Sequence, residues 1–144
     1  MNNKVLLEAV DKFGTPLYIY DSNMIKSQYN RLKQSFKDVK NLQINYAVKA
    51  LSNISILKYM INLGSGIDAV SIQEVKLALK AGVNPKKILY TPNGVSIEEI
   101  KEVSELGVSI NIDNLEVLEQ FGNLNPDIPV CIRINPHIMA GGNS

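Results

Sequence analysis

Five short β-branched runs alternate with helical patterns along the chain, and no other feature narrows the possible folds as far. The runs are NLQINYAV (41–48), GIDAVS (66–71), KILYTP (87–92), VSINID (108–113) and PVCIRIN (129–135). Between them apolar residues return at three-to-four spacing: Ile54, Ile56, Leu57, Met60, Ile61 and Leu63, then Val75, Leu77, Ala78 and Leu79. Ile97, Ile100, Val103 and Leu106 repeat the pattern, as do Leu115, Val117, Leu118 and Phe121. Ser71-x-x-Glu74, Ser96-x-x-Glu99 and Asp113-x-x-Glu116 resemble helix-start boxes, in which the first side chain caps a free backbone N–H. Gly64, Gly82, Gly107 and Gly122 fall where the helices should end, since glycine takes the left-handed closing turn cheaply. A strand–helix period of roughly 20–25 residues suits βα units of a parallel sheet.

Two parallel architectures compete, an open doubly wound sheet and a (β/α)8 barrel. The first advertises a glycine-rich turn after its opening strand, whereas this chain has AVKALSN there, without glycine. The polar residues also favour a barrel. Leu42, Ile44, Tyr46 and Val48 share one face of their run, while Asn45, Ala47 and Lys49 share the other. Ile132 and Ile134 oppose Arg133 and Asn135, and Asp68 and Asp113 oppose their flanking isoleucines. The apolar sets are expected to face outer helices, and the charged groups to converge inside at the carboxyl ends of the strands, where barrel enzymes work.

About 250 residues are typical for eight βα units, and 144 residues supply five strands at most. The expected fold is therefore a partial (β/α)8 barrel over 22–144, with unpaired edges and an uncovered interior. Ahead of it, FGTPLYIYD (13–21) reads as an extended aromatic run, followed by a polar helix from about Ser22 to Phe36. Residues 1–21 are assigned as a lead-in segment whose strand would belong to a second, β-rich domain.

Composition excludes several functions. With 15 Lys+Arg against 14 Asp+Glu, nothing draws the chain to nucleic acid or to an anionic membrane. Cys131 is the only cysteine, so there is neither an internal disulfide nor a multi-cysteine zinc site. Its apolar run suggests a buried structural thiol. No metal is expected. The first residues lack the long apolar core of a signal peptide, and no stretch approaches the ~20 apolar residues of a membrane span. These absences point to the cytoplasm.

Lys49 is the residue that asks for an explanation. It is expected at the end of the first barrel strand, between Val48 and Ala50, where burial is expected too. A buried ammonium requires a partner or a lowered pKa. Two roles stay open: an ion pair with an interior aspartate, or a nucleophilic amine that attacks an aldehyde in its neutral form.

YAVKA (46–50) is similar to the cofactor-lysine motif of the pyridoxal-phosphate-dependent amino-acid decarboxylases that share a fold with alanine racemase. GIDAVSIQEVKLALKAGV (66–83), ILYTPNGVSIEEI (88–100), SINIDNLEVLEQ (109–120) and VCIRINPHIMAGG (130–142) resemble the family's following blocks in order. GTPLYIYD (14–21) resembles the strand that packs into its C-terminal β-domain. RINP followed by Ala-Gly-Gly is most similar to the branch acting on meso-2,6-diaminopimelate, in the last step of lysine biosynthesis.

The resemblance implies that Lys49 holds pyridoxal 5′-phosphate and is catalytic. It implies that Asp68 and Arg133 lie beside the cofactor. It further implies a homodimer with active sites shared across the interface and a small amino acid as substrate. Glu74 is explained by capping, and His137, the only histidine, by a loop. The family pattern after the lysine is Ala-Asn, whereas this chain has Ala50-Leu51, a departure that bears on substrate preference. Related decarboxylases of carboxynorspermidine, ornithine or arginine, and a non-catalytic carrier of the cofactor, are the competing readings. The phosphate-binding and substrate-binding blocks are expected beyond Ser144, so the 144 residues alone are expected to be inactive.

Overall fold

The computed structural model describes residues 2–134 and Pro136. His137 and the Ala-Gly-Gly block lie outside the described residues. The chain divides into two compact units, Met1–Leu42 and Gln43–Ser144.

The first unit contains two helices, α1 (Asn3–Phe13) and α2 (Ser22–Ser35). The sequence pattern had suggested α2 but not α1. Both start on a short polar side chain that accepts from the first turn's free N–H groups. Asn2 Oδ1 accepts from the Val5 N–H at 3.0 Å. Asp21 Oδ1 accepts from Asn23 and Met24 at 2.9 and 3.3 Å. The Met24 and Asn23 bonds hold the Asp21 carboxyl below its ordinary range. Residues 14–20, expected as a strand, belong to no sheet, and Tyr18 is 89% exposed. A strand requires a ladder partner for its backbone groups, and the described residues offer this segment none. The Thr15–Pro16 bond is cis.

The second unit is a run of βα units. Its strands are β1 (Asn45–Ala47), β2 (Gly66–Ala69), β3 (Ile88–Tyr90), β4 (Ser109–Ile112) and β5 (Val130–Ile132). Its helices are α3 (Ile54–Asn62), α4 (Ile72–Lys80), α5 (Ile97–Glu105) and α6 (Leu115–Leu124). All neighbouring strands are parallel, and their order in space is their order in sequence. A doubly wound sheet reverses direction at a switch point; this sheet never does, as a barrel wall requires.

Register sorts the side chains. Tyr46 pairs with Ile67, Ile67 with Ile88, Tyr90 with Ile110, and Ile110 with Val130. Ile67, Ala69, Ile88, Tyr90, Ile110 and Ile112 are buried in the same core as Leu57, Val75, Ala78, Ile100, Val103 and Phe121 of the helices. The apolar face predicted from alternation is thus the helix-covered face. Leu115 is an exception at 80% exposed, being the first residue of α6.

Gly64, Gly82 and Gly107 close α3, α4 and α5 with positive φ. Gly122, expected as a helix end, instead lies inside α6, which runs on to Leu124. The cap of α6 is Asn114, not Asp113: its Oδ1 accepts from Glu116 and Val117 at 2.8 and 3.2 Å.

Ser71 and Ser96 are the caps expected, yet neither box closes on itself. The Glu74 carboxylate accepts from the Val70 N–H at 2.8 Å. Glu99 Oε1 reaches across to the Ile72 N–H at 3.0 Å and the Tyr90 hydroxyl at 2.7 Å. Burial, and then the Glu99 carboxylate, push the Tyr90 phenol well above its ordinary value.

Cys131 is exposed, not buried as its apolar run had suggested. It pairs in register with Asn111, on the interior side of a strand that has no further neighbour among the described residues. No described helix is long and apolar enough to cross a membrane.

Candidate active site

Interior positions recur every second residue, so each strand contributes polar side chains to one recess at the carboxyl ends. Asn45, Lys49, Asp68, Val70, Leu89, Thr91, Asn93, Asn111 and Arg133 line it, around ≈ 630 Å³. That size lies within the range of small-molecule sites. The structure therefore brings together Lys49, Asp68 and Arg133, the three residues singled out in the sequence, from the turn after β1, from β2 and from the residue after β5.

Lys49 differs from expectation in two respects. β1 ends at Ala47, and Lys49 sits in a 3₁₀ turn, Val48–Ala50, where it is exposed rather than buried. The Leu51 N–H closes this turn on the Val48 carbonyl at 3.0 Å, and the Tyr46 hydroxyl donates to the Leu51 carbonyl at 3.2 Å. Among the described residues Lys49 makes no ion pair, so the structural pairing with an aspartate is not formed.

Asp68 is partly buried and engaged elsewhere. The Thr91 hydroxyl donates to Asp68 Oδ1 at 2.9 Å, and Asn111 Nδ2 donates to Thr91 Oγ1 at 3.0 Å. Thr91 and Asn111 escaped the sequence reading. Their signal was present: each occupies the polar phase of an alternating strand, beside Tyr90 and between Ile110 and Ile112. Arg133 is anchored through its backbone, whose N–H donates to the Ile112 carbonyl at 2.9 Å.

Asp113, expected among the converging charges, lines a different recess of ≈ 520 Å³ with Pro92, Gly94 and Asn114. It follows β4 by one residue, where the chain is already turning into α6. Glu74 lies outside the Lys49 recess, in its capping role. Among the described residues no cluster of His, Cys, Asp and Glu could hold a metal.

The donor set fits pyridoxal phosphate. A primary amine for the aldehyde, a guanidinium for anionic groups and a carboxylate share one recess of suitable size.

Comparison with known proteins bears on the same residues. Residues 22–144 match the family model described as "Pyridoxal-dependent decarboxylase, pyridoxal binding domain". The diaminopimelate decarboxylase of Methanothermobacter thermautotrophicus is 38% identical over 137 residues, covering 94% of this chain and 32% of its own length. The structure of diaminopimelate decarboxylase from Helicobacter pylori complexed with L-lysine superposes with a TM-score of 0.80 at 37% identity. It covers 95% of this chain and 35% of that one. Lysine/ornithine decarboxylase of Vibrio vulnificus, complexed with putrescine, gives a TM-score of 0.81 at 26% identity, covering 91% of this chain and 36% of that one. The chain thus spans about a third of the length of the relatives it matches. With the family model matched over 22–144 by a parallel βα wall whose polar recess contains an amine, the chain belongs to the pyridoxal-dependent decarboxylases.

Proposed function

We propose that the full-length protein decarboxylates meso-2,6-diaminopimelate to L-lysine and CO2, with pyridoxal 5′-phosphate held on Lys49. The observation that carries this is the convergence of Lys49, Asp68 and Arg133 on one recess at the carboxyl ends of the strands. Identity supports diaminopimelate over ornithine as substrate: 37% to the lysine-bound Helicobacter pylori enzyme against 26% to the Vibrio vulnificus one.

Pyridoxal phosphate, when bound, supplies an electron sink for the pair released as the carboxylate leaves. The chain's own residues do the rest. The exposed turn presents the Lys49 amine to the recess, where it would hold the cofactor through its aldehyde. When not holding the cofactor, the Lys49 side chain would be free to carry a proton within the recess. Arg133 supplies fixed positive charge and Asp68 fixed negative charge to the same space. In this reading residues 1–21 lead into a C-terminal β-domain, and the protein works as a homodimer. The exposure of Tyr18 and the family resemblance support those two points.

The test is lysine formation from meso-diaminopimelate by the full-length protein, with and without pyridoxal phosphate, beside Lys49→Ala. Cofactor-dependent turnover that Lys49→Ala abolishes is the expected result. A borohydride-reducible adduct on Lys49 without lysine formation would move the substrate to another amino acid. Turnover unaffected by Lys49→Ala would overturn the reading.

A further inference from the structure

The geometry points to Thr91, supported by Asn111, as a positioning residue that orients Asp68 beside the cofactor lysine. The inference rests on the decarboxylase reading above. Thr91, the residue after β3, and Asn111, on the neighbouring β4, occupy partly buried positions of the recess that also contains Lys49 and Arg133.

The direction of this hydrogen-bond chain is set by chemistry. A carboxylate only accepts, and a threonine hydroxyl has one proton. At 2.9 Å from Asp68 Oδ1, the Thr91 proton must lie on the aspartate side. Thr91 Oγ1 then has only lone pairs to offer Asn111, whose Nδ2 donates at 3.0 Å. Were Asn111 an acceptor at this position, it would compete for the same proton. Asn111 therefore commits Thr91 to Asp68.

The consequence for Asp68 is asymmetric. Oδ1 is fixed by Thr91, whereas Oδ2 has no protein hydrogen bond among the described residues. One oxygen anchored and one available is the arrangement of a carboxylate that serves a bound group while its rotation is restrained. Backbone geometry reinforces the anchor: the Thr91 N–H donates to the Ala69 carbonyl at 2.8 Å, which locks the adjacent strand to the one bearing Asp68.

The experiment is an absorbance titration of the full-length apoprotein with pyridoxal phosphate, with borohydride trapping at Lys49 run in parallel. Thr91→Val removes the hydroxyl at nearly constant shape and is expected to weaken cofactor affinity about tenfold, as loss of a hydrogen bond to a charged group would. Thr91→Ser keeps the oxygen and should stay within about twofold of the unsubstituted protein. The Asp68→Asn/Thr91→Val double variant should bind no more weakly than Asp68→Asn alone, because both act through one carboxylate. Should Thr91→Val not fold, Asn111→Ala carries the test, with an expected loss of about threefold.

Equal losses in Thr91→Ser and Thr91→Val, additivity with Asp68→Asn, or unchanged affinity in the variants would overturn the proposal while trapping at Lys49 persists. Absence of trapping in the unsubstituted protein would overturn the parent reading, and this proposal with it.

Discussion

Glu99 serves two neighbours with one oxygen, and neither was visible in the chain. Spacing from Ser96 marked it as the second half of a capping box, and Ser96 does cap α5 through the Glu99 N–H. The carboxylate itself leaves its own helix to satisfy the Ile72 N–H at the start of α4 and the wholly buried Tyr90 hydroxyl. Replacing Glu99 with Ala strands both donors and should destabilise the fold by about 2 kcal/mol in urea unfolding. Tyr90→Phe removes donor and demand together and should cost less, about 1 kcal/mol. The same pair gives a pH dependence. The folded phenol is raised above its unfolded value near 10, so the folded state retains this proton when the unfolded chain has lost it. Stability from Tyr90 is therefore complete below about pH 10 and falls as pH rises beyond it. Unfolding midpoints compared at about pH 8 and pH 11 should drop further in the unsubstituted protein than in Tyr90→Phe; equal drops would refute the assignment. Alternation put Asp68 and Arg133 on the polar face of their runs, but it was the resemblance of YAVKA and the following blocks to the decarboxylase family that singled out these two together with Lys49. Thr91 and Asn111 carried only the weaker signal of polar phase in an alternating run, which does not single out a neutral residue until its partner is known.

At the scale of elements, all five strands and four βα helices followed from periodicity, because each helix buries a face that only three-to-four spacing can present. The first helix was missed although Val5, Leu6, Ala9, Val10 and Phe13 recur at helical spacing; its large apolar residues nevertheless remain exposed, with Leu7 and Phe13 at 65% and 67%. Glycines divide on similar grounds. Gly66 opens β2 where a Cβ would stand 2.9 Å from the Lys87 carbonyl oxygen and against the side chains of Asn45 and Gln43. Gly122 sits inside α6 with nothing within 4 Å. The two should therefore respond to alanine with opposite sign. Gly66→Ala overpacks the wall between β1 and β3 and should lose about 2 kcal/mol. Gly122→Ala removes backbone freedom at no steric expense and should gain about 0.5–1 kcal/mol. Chemical denaturation of both variants checks this, and a destabilised Gly122→Ala would mean that the space beside α6 is filled by a group outside the described residues.

For the molecule as a whole, strand order decided the architecture where sequence could only prefer it: a sheet whose neighbours follow chain order has no switch point. Its two edges, β1 and β5, have no outer partner among the described residues. Ile132 at the end of β5 and Ile134 just past it are 58% and 81% exposed. With Leu115, Leu118 and Ile112 they form an apolar recess of ≈ 340 Å³. An open parallel edge next to uncovered isoleucines is a template for association. The 144 residues produced alone should therefore self-associate in size-exclusion chromatography, and Ile132→Lys with Ile134→Lys should reduce that association by placing charge on the edge. The relatives are about three times longer, and under the proposed function chain beyond the matched third would cover this surface. In the full-length protein the same two lysines should instead lower the thermal midpoint, because each would force an ammonium into a covered apolar site. If the lysines left full-length stability unchanged, β5 would be solvent-exposed in the complete protein and the barrel would not close past it. If they also left association of the short chain unchanged, that association would have to arise from another surface, with the exposed apolar residues of α1 the first to substitute.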